Sequence, residues 1–425
     1  MAREYKDSGI EWIGKIPKEW KVKPHKHLMR KIKNICLKYN GEDIISLTMN
    51  GVVVRDLNAG GKMPTSFDGY QYVYPGNLLM CLFDIDVTPR CVGLIKNDGL
   101  TSPAYSQFTL FDGVFGPYYN YLLRYMDDEK CILHLSKNLR SSLTEEDFGQ
   151  ILTIYPPLNE QQRIADYLDK KCGEIDELIA LQEQMIAQLS DYKQSVITEA
   201  VTKGLNPNVE LVPSGIDWIG DVPKGWKVCK LKYLCNYIKD GTHFSPNTIA
   251  EGYPYITATD VRGLGIDYAN AKKVSEEVFL ELQKAGCQPH NGDILLVKDG
   301  ATTGRVGMMT DDTECVLLSS VAMLSPNKRM ANKYLMYVLM SDFMQSQMKL
   351  FMAGAALPRI TLTKLMNFNC LFSPLSEQNA IVAYLDEKYS EIDSLISLKQ
   401  QKIEELKEYK KSIIYEYVTG KKELI

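Results

Sequence analysis

No stretch of this 425-residue sequence approaches the roughly 20 consecutive apolar residues that cross a bilayer, so no membrane partner is expected. The opening "MAREYKDSG" has no apolar core of a secretory leader. Ten cysteines are spread with no C-x-x-C pair, which argues against a zinc ribbon or a disulfide framework and fits reduced thiols in the cytoplasm. The five histidines form no H-E-x-x-H, and His25 and His27, set among lysines, are expected to be exposed. No G-x-x-x-x-G-K-[ST] is present, which excludes a P-loop motor. "DGATTGRVG" (Asp299 to Gly307) lacks the lysine and reads as a hairpin. There is no G-x-S-x-G elbow and no Asn-Pro-Pro-Tyr or Asp-Pro-Pro-Tyr tetrapeptide: "YPPL" at Tyr155 and "SPAY" at Ser102 each fall short. The acid pairs Asp84/Asp86 and Asp311/Asp312 are ordinary loop features. What remains is a recogniser with no catalytic signature.

Tryptophan is scarce at four, and the repeated phrase is built around it. "IEWIGKIPKEWKV" begins at Ile10 and "IDWIGDVPKGWKV" at Ile216, 206 residues later, with nine of thirteen positions identical. Repetition resumes at "PLNEQQRIADYLDKK" from Pro157 and "PLSEQNAIVAYLDEK" from Pro374, now offset by 217. The second copy therefore holds eleven more residues between the shared ends. At this length two domains are the expectation, and the repeat supplies them.

Each copy ends in a long helix. Proline precedes each start, Asn159 and Ser376 are the expected N-caps, and Glu160 and Glu377 place negative charge in the first turn. No proline follows for more than 40 residues. The first seam runs Leu168, Cys172, Ile175, Ile179, Ile186, Leu189, Val196; the second runs Leu385, Tyr389, Ile392, Ile396, Ile403, Leu406, Ile413. Spacings of three and four predict a coiled coil, interrupted at Gln182 and Lys193 and again at Lys399 and Lys410. Polar seam positions fix register, and pairing of the two rods with each other is the simplest outcome; packing of each rod on its own module is the alternative. The expected boundaries are residues 1–157 and 213–374 for the modules, 158–204 and 375–425 for the rods, and 205–212 for a linker after a capping Gly204. Within the modules, short β-rich runs alternate with turns, and amphipathic stretches occur around Tyr118 to Tyr125 and Lys333 to Met348. The fold class is α+β, with bent sheets.

The net charge of −4 does not suggest a nucleic-acid binder, but its distribution does. Nine Lys/Arg and one acid, Glu19, lie between Lys15 and Lys38, and Lys224, Lys227, Lys230, Lys232 and Lys239 follow the second phrase. These are two local basic surfaces, or else solvated faces of ordinary domains.

The two "W-I-G-x-x-P-x-x-W" phrases, the two "P-L-x-E-Q-x-x-I-x-x-Y-L-D" helix starts and the "V-T" endings at Val201 and Val418 resemble specificity subunits of type I restriction–modification systems. "KDGTHFSP" (Lys239 to Pro246) and "GDILLVKDGATTGRVG" (Gly292 to Gly307) look like that family's target-recognition motifs. The resemblance spans essentially the whole chain. It implies two target-recognition domains, each reading half of a split duplex DNA site, and two long helices paired as an antiparallel coiled coil with pseudo-two-fold symmetry. It implies two methyltransferase subunits and two restriction motor–nuclease subunits as partners. S-adenosylmethionine, ATP and Mg would be held by those partners, and no cofactor, metal or catalysis by this chain. A single-chain methyltransferase or nuclease with an unread site, and a coiled-coil assembly protein without a DNA role, are the competing readings.

Arginine suits guanine and asparagine or glutamine suits adenine, so DNA-contacting candidates are sought in polar, turn-rich stretches. "SKNLRSSLT" (Ser136 to Thr144) and "LPRITLT" (Leu357 to Thr363) share R-x-x-L-T before each rod, which nominates Asn138, Arg140 and Arg359; a structural salt bridge to the rod is the alternative for the arginines. "KDGTHFSP" nominates Lys239, Thr242, His243 and Ser245, with turn formation as the alternative, and the glycine-rich hairpin adds Arg305. Lys31, Lys33 and Arg90 rest on charge alone. The first module has no D-G-x-H loop, so its reading surface is not assigned by analogy.

Overall fold

The computed structural model describes residues 3–59, 64–88, 90–131, 133, 141–216, 219–352 and 358–424. It divides into two compact units. One comprises residues 1–182 with 401–425, the other residues 183–400.

Each unit is built on a four-stranded antiparallel sheet of the same strand order. In the first it runs Met29–Ile32, Ser106–Leu110, Leu78–Met80, Val92–Leu94. In the second it runs Cys235–Asp240, Val321–Pro326, Ile294–Val297, Val306–Met308. Both repeated phrases fold into a hairpin, Tyr5–Asp7 with Lys15–Pro17 and Leu211–Pro213 with Asp221–Pro223. Each then enters a strand that pairs with the one leading into the rod: Lys21–Pro24 with Leu152–Tyr155, and Lys227–Lys230 with Asn369–Phe372.

The modules differ between the first and second strands of that frame in chain order. Equivalent residues are offset by 206 at Met29 and Cys235 and by 216 at Leu78 and Ile294. The second module uses the added length for helix Glu276–Lys284 beside a three-stranded sheet of Lys272–Val274, Tyr253–Ile256 and Val316–Leu317. The first has only two-stranded pairs there among the described residues, Ile45–Thr48 with Gly51–Val54 and Gln71–Val73 with Gly99–Thr101.

The rods are Leu158–Lys203 and Leu375–Val418, 46 and 44 residues long, or about 65–70 Å each at the helical rise of 1.5 Å. The expected caps are corrected. The carbonyl of Pro157 accepts from Glu160 and Gln161, and that of Pro374 from Glu377 and Gln378, so the prolines are the N-caps and Asn159 and Ser376 lie inside the first turn. The first rod ends at Gly204, whose φ of +75° is the left-handed closure glycine permits.

The seams are buried where expected: Leu168, Cys172, Ile175 and Val196 on one rod, Leu385, Ile392, Ile403 and Ile413 on the other. Within each unit the two rod segments run antiparallel. In the first, Tyr167 meets Tyr417 and Asp176 meets Lys410; in the second, Met185 meets Lys399 and Lys193 meets Asp393.

The repeated residues fasten each rod to its sheet. Trp20 donates its indole N–H to Glu160, and Trp226 donates to Glu377 at 2.9 Å. Gln161 accepts from the Phe115 amide (2.8 Å) and donates to Gly113 and Pro156 carbonyls; Gln378 accepts from Ala331 (2.8 Å) and donates to Arg329 and Ser373. Tyr121 in helix Gly116–Asp128 reaches Asp169 at 2.7 Å, as Tyr337 in helix Asn332–Met340 reaches Asp386 at 2.8 Å. The Glu-Gln and Asp of each helix start are thus fully satisfied partners of buried donors and acceptors, which explains why the phrase and the helix start recur together.

His25 is a correction. It is fully buried, stacked on Phe148 at 4.5 Å, and neither ring nitrogen has a hydrogen-bond partner. A short 3-10 turn, His25–His27, rotates it inward while the flanking lysines stay outside. The second unit places Leu231 at the same point, also fully buried. All ten cysteines are free thiols. No described helix is long and apolar enough to cross a membrane.

Candidate nucleic-acid interface

In the second module two Lys-Asp-Gly turns, Lys239–Gly241 and Lys298–Gly300, come together at one end of the sheet. The first closes its frame strand and the second follows directly from one, so the backbone leaving the sheet sets where their side chains point. Lys298 is buried, its ammonium 2.9 Å from Asp299 Oδ2 and 3.3 Å from Asp240 Oδ2. A buried lysine needs such partners, because an unpaired charge is expensive to desolvate. Arg359 lies against the other Asp299 oxygen, Nε to Oδ1 3.2 Å, with its side chain 62% exposed. The backbone holds this pair from both sides: the Gly300 amide donates to Pro358, and the Ile360 amide to Lys298.

The loop after Asp240 presents His243, Phe244 and Ser245 to solvent. His243 Nε2 stands 3.6 Å from Asp240 Oδ1. Thr242 is buried instead; its hydroxyl accepts from the Phe244 amide and its own amide donates to Leu317. Thr242 therefore shapes the turn, the alternative left open for it. Gly241 admits no side chain, since a Cβ there would sit 1.9 Å from the Leu317 oxygen. Lys239 is exposed, its ammonium 5.4 Å from the Tyr237 ring centre.

Beside this cluster lies an open groove of about 1030 Å³ in the second unit. Arg305 rises from the hairpin turn, Arg262 from the tip of Val261–Arg262/Gly265–Ile266, and Lys349 from helix Asp342–Met352. Arg262 is steadied by Asp267 at 3.3 Å; hydrogen bonds from Asn270, with Arg262 behind them, hold the Asp267 carboxyl below its usual range. Gln345 pins the turn by donating to Gly304 at 2.9 Å. Three cations around an open trough suit a polyanion backbone.

The candidates do not all converge. Lys239, His243, Ser245, Arg305 and Arg359 share this end of the second module. Lys31 is ion-paired with Glu145, and Lys33 is exposed. Arg90 is buried between Asp127 (3.4 Å) and Asp128 (2.8 Å), so its charge is spent holding helix Gly116–Asp128 to the sheet and it presents no free surface. Asn138 and Arg140 lie outside the described residues. Several lysines of the basic runs are paired as well: Lys18 with Glu4, Lys26 with Gln150, Lys224 with Glu210, Lys230 with Asn369.

The shared R-x-x-L-T proves to be a shifted match. Thr144 caps helix Glu145–Gln150 and Thr361 caps Leu362–Met366, each accepting from the amide three residues on. Leu143 and Ile360, each just before the cap, donate to Leu82 and Lys298 on the matching strands. Arg359 is therefore equivalent to Ser142, not Arg140, and its ion pair is with Asp299 rather than with the rod. Sequence reasoning missed Lys298, Asp299, Arg262 and Lys349. The doubled Lys-Asp-Gly was the available signal for the first two. Among the described residues no cluster of His, Cys, Asp or Glu could hold a metal ion.

A family model described as the type I restriction modification DNA specificity domain matches residues 223–408. The chain is 27% identical over 285 residues to the type I restriction enzyme MjaVIII specificity subunit of Methanocaldococcus jannaschii, covering 64% of this chain and 63% of that one. It is 24% identical over 261 residues to the EcoBI specificity subunit of Escherichia coli, covering 60% and 54%. These matches span less than two thirds of either relative. A chain solved in work on complex assembly and conformational transition of the type I R-M system shares the fold at TM-score 0.69, with 16% identity, 95% of this chain and 98% of that one covered. The HsdS subunit from Thermoanaerobacter tengcongensis aligns at TM-score 0.50 with 18% identity over 95% and 98%. The second module thus matches the type I DNA specificity domain, the chain is similar in sequence to two type I specificity subunits, and it shares the fold of the solved chain along its length.

Proposed function

We propose that this chain reads a split sequence in duplex DNA, one half-site per module, as the specificity subunit of a type I restriction–modification complex. The observation that carries the reading is the division of labour in the fold. The Trp–Glu, Gln–backbone and Tyr–Asp fasteners and the four-stranded sheet occur twice, whereas the loops at the sheet ends are different. A constant frame with two different loop sets is what reading two unlike half-sites requires. The cations around the second module's groove supply phosphate attraction, and His243, Ser245, Arg305 and Arg359 offer base-edge chemistry. Methylation and cleavage belong to partners: two methyltransferase subunits holding S-adenosylmethionine and two motor–nuclease subunits using ATP and Mg.

The test is co-expression of the chain with a type I methyltransferase subunit from the same genome, followed by genome-wide mapping of methylated adenines. The expected result is one bipartite motif with a fixed gap, of which exchange of residues 1–157 alters one half only. Absence of any complex between the two chains would overturn the reading.

A further inference from the structure

We infer that Arg359 reads a guanine in the half-site taken by the second module, and that Asp299, backed by the buried Lys298, is the residue that positions it. The inference rests on the DNA-reading role proposed above and names one base and the pair of side chains that select it.

The fasteners of the frame recur in both modules. This cluster does not. At the positions equivalent to Lys298, Asp299 and Arg359 the first module carries Leu82, Phe83 and Ser142, with the Leu143 amide donating to Leu82 as the Ile360 amide does to Lys298. Three charged side chains have thus been written into one copy of a shared scaffold, at the end of the sheet where the loops diverge. A group needed to hold the scaffold together would appear in both.

The charge count within the cluster points the same way. Lys298 already has Asp240 at 3.3 Å, which balances its charge. Asp299 offers Lys298 one oxygen at 2.9 Å and turns the other toward Arg359. That second oxygen, Oδ1, is buried and has no aligned hydrogen bond, although Arg359 Nε is only 3.2 Å away. A buried acceptor left open costs stability unless something closes on it. A small rotation of the guanidinium would aim Nε–H at Oδ1 and turn both terminal amino groups outward. Those two donors match guanine O6 and N7, the commonest specific major-groove contact of arginine. The chain path favours this geometry: Asp299 and Arg359 form a β-bridge, and Thr303 donates to Pro358, so the arginine stands on a fixed base. A lysine on the same backbone would offer one freely rotating ammonium in place of two amino groups held in a plane by Asp299, and so would lose the fixed fork that selects O6 and N7 together.

The experiment uses the full chain in its complex with the methyltransferase subunit and reads the methylated motif. Arg359→Lys, an exposed and charge-conserving change, is expected to relax one guanine in one half of the motif by about tenfold in preference while the other half stays intact. Asp299→Asn is expected to relax the same position. If loss of a Lys298 partner prevents Asp299→Asn from folding, Arg359→Lys and Arg359→Gln decide alone. Duplexes carrying 7-deazaguanine at that position, which lack N7, should weaken binding of the original complex and not of the Arg359→Lys complex. An unchanged motif, or a uniform fall in methylation with no change in base preference, would overturn the assignment and make Arg359 a phosphate contact. Failure of the underlying DNA-reading role is visible separately, because the unsubstituted complex would then show no bipartite motif.

Discussion

Lys410 places its ammonium 2.6 Å from the Asp176 carboxylate, and Lys193, its counterpart in the other repeat, reaches Asp393 in the same way. The partners are repeat-related too, since Asp176 and Asp393 are separated by the same 217 residues as the lysines. A parallel or shifted pairing of the rods would bring neither lysine to its aspartate, so these half-exposed pairs specify antiparallel register more than they stabilise it. Exposed ion pairs contribute about 0.2–1 kcal/mol. Lys410→Asp is accordingly expected to lower stability by about 1 kcal/mol and Lys410→Asp with Asp176→Lys to recover most of it, read by urea unfolding. No recovery in the double variant would mean that the seam apolar residues alone set the register.

Trp226→Phe removes the indole donor and leaves the Glu377 carboxylate without its buried partner. A hydrogen bond to a charged group is worth about 1.5–3 kcal/mol, so a loss of that size is expected in the second unit's unfolding. Trp20→Phe should cost the first unit less, because Arg3 also holds Glu160. Thermal unfolding followed by fluorescence of the remaining tryptophans distinguishes the two.

Burial without a partner pushes the His25 imidazole down to about 3 from an ordinary value near 6.5. At neutral pH the ring is uncharged whether the chain is folded or not, and the site is at full stability. Below about 6.5 only the unfolded chain gains the proton, so stability falls by about 1.4 kcal/mol for each further pH unit until the folded ring itself titrates near 3. His25→Leu, the residue the second unit already uses, is expected to remove this acid sensitivity and leave stability at pH 8 no lower. Equal slopes of stability against pH in both proteins, from denaturant titrations between pH 7 and 5, would contradict it.

Gly241→Ala forces a methyl group into the Leu317 carbonyl and must displace the turn that presents His243 and Ser245. The expected outcome is loss of recognition in one half of the methylated motif, with circular dichroism unchanged in helix content. Arg262→Ala and Lys349→Ala, by contrast, should weaken duplex binding uniformly across sequences. Each should lower the dependence of log affinity on log salt by about one. Fluorescence anisotropy at several salt concentrations measures it.

The rods were legible because a recurring three-four apolar spacing inside more than forty residues without proline reads as helix, and the repeat exposed the frame. The caps were misread because Asn159 and Ser376 look like caps in isolation, while the preceding prolines supply the first accepting carbonyls. His25 was misread because local charge said surface, whereas one 3-10 turn reverses a side chain's direction. The candidate surface was legible only in part. Loops bring Asp240, Asp299 and Arg359 together from positions up to 119 residues apart, and no local period encodes that meeting. Arg90 illustrates the converse, a charge that reads as exposed and is consumed by Asp127 and Asp128.

Residues 401–425 belong to the same compact unit as residues 1–182, and the Tyr118 hydroxyl donates to the Val418 carbonyl across 300 positions of chain. On the ribosome, the first module therefore emerges early and waits. The unit of residues 183–400 is contiguous and can close as soon as its own rod segment is out, before the earlier-made module has its last helical turns. Such long-range closure is slow, and it leaves Ile175 and Ile179 incompletely covered in the nascent chain until residues 401–425 have been made. Termination before residues 401–425 would consequently injure the module synthesised first.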